Sequence, residues 1–392
     1  MTTTRDLMIL VSGSVCVSLL FGALIKIFHK LWWAPSRLQH LMYLRGFRGP
    51  PYRFIHGSTK DILTMQREAM ARPLGLSHDI FPKLQPHIHY WSNIYVGWSS
   101  STIGNNRSGV GQREDDPRNG YGVESMLERW KPLEGKEIEV YEEFRFLTAE
   151  AFPGINKLFK TDDQIESERL EKRVRDSIVE LIKRREEKVT SGEEDNFGCD
   201  FLGLLVLAHH DAIENQRISI DDVIEEARKE VHNLLGKQNP KPDDLVKLKT
   251  MSLIINESLR LYPPAISMSR EAEREVRLGN LNLPANVKLF ISNLAVHHDP
   301  QIWGEDVHIF KPERFSQGVA NATKNNIAAF LPFGLGPRNC VGSNFAIAEA
   351  KIALAMILQH YAFTLSPAYV HSPVQVLTIR PEHGVQVMLQ PI

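Results

Sequence analysis

The sequence contains few of the residues from which disulfide scaffolds and zinc fingers are built. Only three cysteines occur in 392 residues, and they are far apart, at Cys16, Cys199 and Cys340. An odd number of widely spaced cysteines excludes a disulfide framework, and no CxxC pair or Cys/His cluster indicates a zinc site. We therefore expect most of the chain to face a reducing compartment.

An excess of charge of either sign is also missing. The 46 basic and 47 acidic residues nearly cancel, which gives a formal net charge of −1. Proteins that bind nucleic acid usually carry a clustered basic excess. The composition therefore predicts no nucleic-acid partner, and we find no internal repeat.

Long apolar runs are absent except at the N-terminus. No charged residue occurs between Leu7 and Ile25, and about 20 apolar residues allow a helix to cross a bilayer. Basic residues follow the run, which favours a cytosolic location for everything downstream. A cleaved signal peptide is the weaker alternative because no A-x-A-like site follows. We expect a lumenal tail over 1–6, a transmembrane anchor over 7–25 and a proline-containing linker over 26–55.

Downstream of the anchor, the sequence predicts one catalytic domain over residues 56–392. Residues 97–122 are rich in Gly, Ser, Asn and charge, which is typical of a low-complexity insert. Helical periodicity is clear over 166–188 and 245–262. The fold class is therefore expected to be mainly α with small β-sheets. The strand-like segments are Val287–Ile291, Val374–Ile379 and Val385–Leu389.

The sharpest motif is PFGLGPRNCVG, followed by an alanine-rich run that is typical of a helix. A cysteine that binds haem iron has to be a shielded thiolate. Cys340 directly precedes the predicted helix, whose dipole and free N–H groups favour an anionic sulfur. Gly334, Gly336 and Gly342 allow sharp turns close to a flat cofactor, and the guanidinium of Arg338 suits a propionate. The alternative is a structural cysteine in a glycine-rich turn.

This loop resembles the cysteine loop of the cytochrome P450 family, Phe-x-x-Gly-x-Arg-x-Cys-x-Gly. All five defined positions of that pattern are filled here, by Phe333, Gly336, Arg338, Cys340 and Gly342. The resemblance implies a cytochrome P450 fold with haem b as cofactor. It also implies that Cys340 is the metal ligand and that the other four residues contact the haem.

Two further motifs carry the same resemblance. Glu257 and Arg260 are three residues apart in a predicted helix and therefore share a face, and Arg314 lies in the segment FKPERF. Such a pair is weak by itself, since most are solvated. In the family, however, this helix and the PERF loop form a Glu–Arg–Arg lock behind the haem. The resemblance gives these three residues a structural role and makes Arg270 a propionate partner.

The resemblance is strongest to the plant-type microsomal clan that modifies steroid hormones, gibberellins and terpenoids. It implies a monooxygenase that hydroxylates a lipophilic small molecule with O2. No GxGxxG nucleotide-binding fingerprint occurs in the chain, so electrons are expected from NADPH-cytochrome P450 reductase. The implied location is the endoplasmic reticulum membrane, with the catalytic domain in the cytosol.

The sequence departs from the family where a long central helix covers the distal side of the haem. That helix carries an Ala/Gly-Gly-x-Asp/Glu-Thr motif, whose acid–alcohol pair supplies protons for oxygen activation. Between SIDDV and EEARKEV no such motif occurs, and no room is left for an additional helix. A Trp-x-x-x-Arg helix is missing too, because Trp98 and Arg107 are wrongly spaced, and a third shortening follows Phe152.

These departures predict an incomplete cytochrome P450 fold with no catalytic residue beyond the haem ligand. We expect weak haem binding and little or no monooxygenase activity, because losses of this size exceed the stability margin of a domain. Two alternatives stay open: a haem-thiolate isomerase or dehydratase, and a non-catalytic membrane-anchored remnant. Haem incorporation separates the remnant from both enzymes, and turnover of peroxide without NADPH separates the enzymes from each other.

Overall fold

The structure is a computed structural model, and it describes residues 4–44, 48–54, 56–72, 74–95, 119–151, 222–278 and 281–392. These residues are mostly helical with small sheets, which confirms the predicted fold class. The predicted helix over 166–188 and most of the segment 97–122 lie outside the described residues. The described residues form two compact units, of which the first contains 4–72, 81–95 and 269–290.

The helices account for most of the regular structure. A π-helical turn, His29–Trp33, joins the first two of them into one continuous rod. In chain order the helices are α1 Thr4–Phe28, α2 Ala34–Leu44, α3 Thr59–Met70, α4 Phe81–Leu84, α5 Pro86–Ile94, α6 Asn119–Trp130, α7 Val140–Ala151, α8 over 222–235, α9 Pro242–Leu245, α10 Lys249–Leu261, α11 Asn293–His297, α12 Pro300–Trp303, α13 Gly318–Ala322 and α14 Ser343–His360.

The strands are short and form small sheets. They are β1 Glu137–Glu139, β2 Ser267–Ala272, β3 Val276–Leu278, β4 Leu281–Leu283, β5 Val287–Ser292, β6 Tyr361–Leu365, β7 Pro373–Gln375, β8 Ile379–Pro381 and β9 Gln386–Pro391. The largest sheet has the order β1-β9-β6 and is antiparallel, and β2–β5, β3–β4 and β7–β8 form two-stranded sheets.

Of the three strands that the sequence predicted, two are confirmed and one is wrong. The expected strands over Val287–Ile291 and Val385–Leu389 are confirmed as β5 and β9. The expected single strand over Val374–Ile379 is wrong, because this segment is the hairpin β7–β8. Six apolar-rich residues fit one strand or two short ones equally well, and only the turn at Val376 decides.

The N-terminal rod of the first unit extends beyond the apolar run that predicted it. Among the described residues one helix is long and apolar enough to cross a membrane, over Val17–Leu44. The proline segment that follows folds back on this rod, where the Gln39 side chain donates to the Pro50 carbonyl at 2.6 Å and accepts from the Tyr52 amide at 2.8 Å. Residues 50–52 are therefore held against α2.

The second unit is organised around α14. A helix that is apolar on all sides has to be buried, and α14 lies between two cores. Met356 and Ile357 belong to the core shared with α6, β1 and β9, whereas Ala355 and Leu358 belong to the core shared with α8 and α10. The Arg228 guanidinium donates to the Leu358 carbonyl at 3.0 Å and thereby caps the end of the helix. The cysteine loop therefore leads into the most firmly held helix of this unit.

Candidate active site

Cys340 ends a loop that is closed by backbone hydrogen bonds. The Cys340 amide donates to the Phe333 carbonyl at 2.8 Å, and the Asn339 amide donates to the Gly336 carbonyl at 3.0 Å. A short 3-10 turn, Gly336–Arg338, lies between these bonds. The position of the cysteine is thus set by main-chain contacts, three residues before α14 begins at Ser343.

The glycines of this loop have two different roles. Gly334 and Gly336 both have φ of +81°, in the left-handed region that side chains disfavour. Gly342 lies in a turn, as expected, in which the Ser343 amide donates to the Cys340 carbonyl at 3.4 Å, but its φ of −92° is one that other residues also adopt. A Cβ added to Gly342 would lie 4.0 Å from the Cys340 Sγ. The absence of a side chain at Gly342 therefore keeps the space beside the sulfur open.

The face of the loop that carries the sulfur is open to solvent. Cys340 is an exposed free cysteine, the Val341 side chain is fully exposed at 103%, and Leu335 is 42% exposed. Arg338 is exposed as well and forms no ion pair with any described residue. Both apolar side chains are therefore available for contact with a bound group.

These residues fit a haem. The exposed sulfur of Cys340 is available as a ligand to iron. The guanidinium of Arg338 can pair with a propionate, and the uncovered apolar side chains of Leu335 and Val341 offer contact to a porphyrin ring. Phe333 is half-buried, and its carbonyl accepts the hydrogen bond from the Cys340 amide.

Behind the loop, Glu257 and Arg260 form an ion pair that is completely buried. Both side chains have 0% exposure. The Arg260 Nε and Nη2 atoms each donate to one carboxylate oxygen of Glu257 at 2.8 Å, which is the bidentate geometry that gives the strongest pairs. The Arg260 Nη1 atom donates to the His297 carbonyl at 3.0 Å, and the guanidinium lies over the Trp303 ring.

The structure brings Arg314 to the same pair, where it forms an ion pair with Glu257 but no hydrogen bond. Its Nε atom lies 3.6 Å from the Glu257 Oε1, which is too long for a hydrogen bond. Instead Nη1 donates to the Trp303 carbonyl at 2.6 Å and to the Asp306 carboxylate at 3.0 Å. The Lys311 ammonium and then Arg314 hold the pKa of the Asp306 carboxyl below its usual range.

One histidine connects this buried network to the cysteine loop. The Leu331 amide donates to the His297 Nε2 at 2.8 Å, and the His297 Nδ1 lies 3.2 Å from the Arg260 carbonyl. Because a carbonyl only accepts, Nδ1 is the protonated nitrogen of a neutral ring. Burial lowers the pKa of His297 to about 3, which keeps the ring neutral. The buried network therefore fixes the backbone at Leu331, two residues before the cysteine loop begins at Phe333.

Arg270, the last residue expected to contact haem, lies in β2 within the first unit. It is half-buried, and its Nη1 donates to the carbonyl of the preceding residue, Ser269, at 2.9 Å.

Comparison with known proteins identifies the family. A sequence profile of the family Cytochrome P450 matches residues 218–387. Cytochrome P450 CYP749A22 of Panax ginseng is 42% identical, over 97% of this chain and 96% of its own length. Cytochrome P450 734A1 of Arabidopsis thaliana is 30% identical, over 95% of this chain and 94% of its own length. The 7-deoxyloganic acid hydroxylase of Catharanthus roseus is 28% identical, over 96% and 97%.

The chain belongs to the cytochrome P450 family. By family it is a P450-type monooxygenase, an oxidoreductase whose cofactor is haem iron. The plant relatives agree with the predicted clan.

The alignment also bears on the predicted internal losses. The alignment with the Panax ginseng P450 has 505 positions, whereas this chain has 392 residues. At least 113 positions of the alignment therefore have no residue in this chain. The chain nevertheless covers 96% of that relative from end to end. The missing positions are therefore mainly internal.

The sequence reasoning missed two residues of this P450 site. His297 is the first histidine of the segment AVHHDP, and Asp306 precedes Arg314 by eight residues. Neither has a spacing that marks it as a partner of the Glu–Arg pair. For His297 the only signal was the pair of adjacent histidines, and for Asp306 there was none, because Glu313 lies nearer to Arg314 in the sequence.

Proposed function

We propose that this P450 holds haem on Cys340 and hydroxylates a lipophilic small molecule with O2, at a rate far below that of a P450 with a complete distal helix. NADPH-cytochrome P450 reductase supplies the electrons. The observation that supports the proposal is the closed cysteine loop, with an exposed sulfur, anchored through His297 to the buried pair behind it.

In this proposal each residue of the proximal side has a defined task. Cys340 is the iron ligand, and haem bound there supplies the oxygen-activating centre, with electron donation from the thiolate. Phe333, Gly336 and Gly342 shape the loop around the sulfur. Arg338 and Arg270 neutralise propionates. The buried set holds the loop in place and takes no part in the chemistry: Glu257, Arg260 and Arg314.

The low rate follows from what the chain lacks on the distal side. No Ala/Gly-Gly-x-Asp/Glu-Thr motif occurs between Ser219 and Val231, so no side chain there delivers protons during oxygen activation. A positioned general acid commonly contributes about 10²–10⁴-fold to a rate. We expect the hydroxylation rate to be lower by a factor of that order.

The N-terminal helix supports a membrane location for this activity. We assign residues 1–6 to the lumen, 7–25 to the endoplasmic reticulum membrane, 26–55 to a linker and 56–392 to a cytosolic catalytic domain. An anchored active site meets substrates that partition into lipid, which supports a lipophilic substrate. The name of the Catharanthus roseus relative, a hydroxylase, supports the reaction type.

A carbon monoxide difference spectrum of the dithionite-reduced chain in membranes tests the haem site. We expect a strongly red-shifted Soret band that Cys340→Ala abolishes and that the matched control Cys199→Ala retains. A missing band at good expression would overturn the proposal and favour the non-catalytic remnant. A band that survives in Cys340→Ala would overturn the choice of ligand.

Turnover assays separate the two enzymatic alternatives. With reductase, NADPH and a panel of lipophilic substrates, we expect slow hydroxylation that stops without NADPH. An isomerase or dehydratase would instead rearrange organic peroxides without NADPH. Hydroxylation at rates equal to those of a full-length relative would overturn the proposed rate deficit.

A further inference from the structure

Outside the haem site, three side chains of the second unit converge on one point. Asp79 lies at the end of the segment 74–80, His298 follows α11, and His308 lies in the turn after α12. One ligand atom from each residue, a carboxylate oxygen or an imidazole nitrogen, lies within 4.8 Å of the other two. Elements distant in the sequence thus bring two histidines and a carboxylate together.

The protonation of His298 is fixed by its surroundings. Its Nε2 lies 3.0 Å from the Leu261 carbonyl, and because a carbonyl only accepts, Nε2 carries the hydrogen. In a neutral imidazole the other nitrogen, Nδ1, then has a free lone pair. Burial lowers the pKa of His298 to about 3, so the ring stays neutral at physiological pH.

That lone pair has no hydrogen-bond partner although it is buried. His298 is only 4% exposed, and its Nδ1 is a buried atom without a partner in the described structure. Leaving a buried acceptor unpaired costs about 1–3 kcal/mol, and such atoms are rare in folded proteins. This lone pair is therefore free to bind a metal ion.

The neighbouring histidine has the same property. The His308 Nδ1 is also buried without a hydrogen-bond partner, and it lies 3.7 Å from the Asp79 Oδ1, beyond hydrogen-bond distance. The ring centroids of His298 and His308 are 5.4 Å apart. The side chains of Asp79 and His308 remain 40% and 37% exposed, so an ion can reach the cluster from solvent.

We propose that Asp79, His298 and His308 bind one divalent transition-metal ion of the Zn²⁺ class. Two imidazoles and a carboxylate are ligands that zinc commonly uses, with water in the fourth position. The bond from His298 to the Leu261 carbonyl is the support that metal-binding histidines normally receive from a second layer of residues.

The geometry requires a modest rearrangement. Ligand atoms around tetrahedral zinc lie about 3.3 Å apart, and the three atoms here lie within 4.8 Å of one another, so the widest pair has to close by at most about 1.5 Å. The buried His298 is fixed, whereas the two partly exposed side chains can rotate toward it. The bound ion would tie the segment 74–80 to the turn that carries His308. None of the three ligands belongs to the cysteine loop or to the Glu257 pair, so the metal proposal does not depend on the haem proposal.

Zinc titration of the purified full-length chain in detergent, against a competing fluorescent chelator, tests the site. We expect one tight equivalent of Zn²⁺ in the original chain. Asp79→Asn and His308→Asn should each weaken this binding at least tenfold, and both change partly exposed side chains that the fold tolerates. His383→Asn is the matched control, because His383 also faces an acid, Glu382, at 3.8 Å.

Two further measurements exclude other zinc ligands and misfolding. Binding should persist in Cys340→Ala, and Co²⁺ should give d–d bands without sulfur charge transfer. Circular dichroism should show all variants equally folded. Absence of a tight equivalent, or equal affinity in Asp79→Asn, His308→Asn and His383→Asn, would overturn the proposal. So would loss of the equivalent in Cys340→Ala.

Discussion

The buried pair of Glu257 and Arg260 and the loop that ends at Cys340 belong to the same unit but are built in opposite ways. The pair has 0% exposure, and both carboxylate oxygens accept hydrogen bonds. In the loop, the backbone is closed while the cysteine and Val341 face solvent. The polypeptide itself supplies the partners of the pair, whereas the exposed cysteine of the loop needs a cofactor as its partner.

This difference explains how the chain can lose distal segments and still keep its proximal architecture. The contacts that hold the loop come from α10, the turn around Asp306 and His297, all of which are present. The residues that stabilise the fold are therefore different from the residue that binds the cofactor. Four substitutions test this difference.

The largest effect is expected for Glu257→Ala. This change leaves the Arg260 guanidinium buried without its counter-charge, which costs about 3–5 kcal/mol in comparable cases. The urea midpoint of the detergent-purified chain, followed by circular dichroism, measures the loss. Glu128→Ala is the matched control, since Glu128 pairs with Lys131 at the same i,i+3 spacing but in solvent. Its expected loss is below about 1 kcal/mol, and equal losses in the two variants would contradict the comparison.

A smaller, pH-dependent effect is expected for His297→Gln. At neutral pH the change disturbs the bonds to the Leu331 amide and the Arg260 carbonyl, at a cost of about 1–3 kcal/mol. The folded chain keeps His297 neutral, with its pKa lowered to about 3, whereas the unfolded chain protonates it below about 6.5. The stability that this histidine contributes is therefore present above pH 6.5 and is lost as the pH falls toward 3, by about 1.4 kcal/mol per unit.

The His297→Gln variant has no titrating side chain at this position and cannot lose stability in this way. The difference in the free energy of unfolding between the original chain and the variant should therefore shrink as the pH falls from 7 to 4. Urea midpoints across this range measure it. His360→Gln, a change at the exposed end of α14, should keep the slope of the original chain. A difference that stays constant with pH would show that His297 is not held neutral.

His297 also shows where prediction from the sequence stops. The loop from Phe333 to Gly342 and the Glu257–Arg260 spacing are local patterns, and the sequence predicted both from residue type and distance along the chain. His297 meets Arg260 across 37 residues, which no local pattern encodes. Its partners are backbone groups, which carry no sequence signal of their own.

The same limit applies to the boundaries of elements. The sequence predicted a helix over 245–262, and the structure has it as α10, Lys249–Leu261, which begins four residues later, after the separate short helix α9, Pro242–Leu245. Apolar periodicity continues across the break, so only the tertiary contacts of Leu248, which is fully buried, reveal it. The cluster of Asp79, His298 and His308 was missed for a related reason, because its members come from three separate segments.

Gly336→Ala should have an intermediate effect. The backbone there has φ of +81°, and no atom lies within 4 Å of an added Cβ. The cost is therefore purely conformational, about 1–2 kcal/mol. Gly342→Ala is the control, since its φ of −92° suits alanine, and such changes are neutral or stabilise by up to about 1 kcal/mol. Equal urea midpoints for the two variants in the haem-free chain would contradict the assigned backbone role.

The smallest effect on stability is expected for Cys340→Ala in the haem-free chain. The side chain is exposed, so its removal uncovers no apolar surface and leaves no buried group unpaired, and surface changes of this kind stay within about 0.5 kcal/mol. The same variant should abolish the carbon monoxide band. A loss above about 2 kcal/mol would mean that the sulfur is packed within the fold, since only buried contacts cost that much. If the stability is unchanged and the band is lost, Cys340 serves only to bind the cofactor, because the fold does not need its side chain.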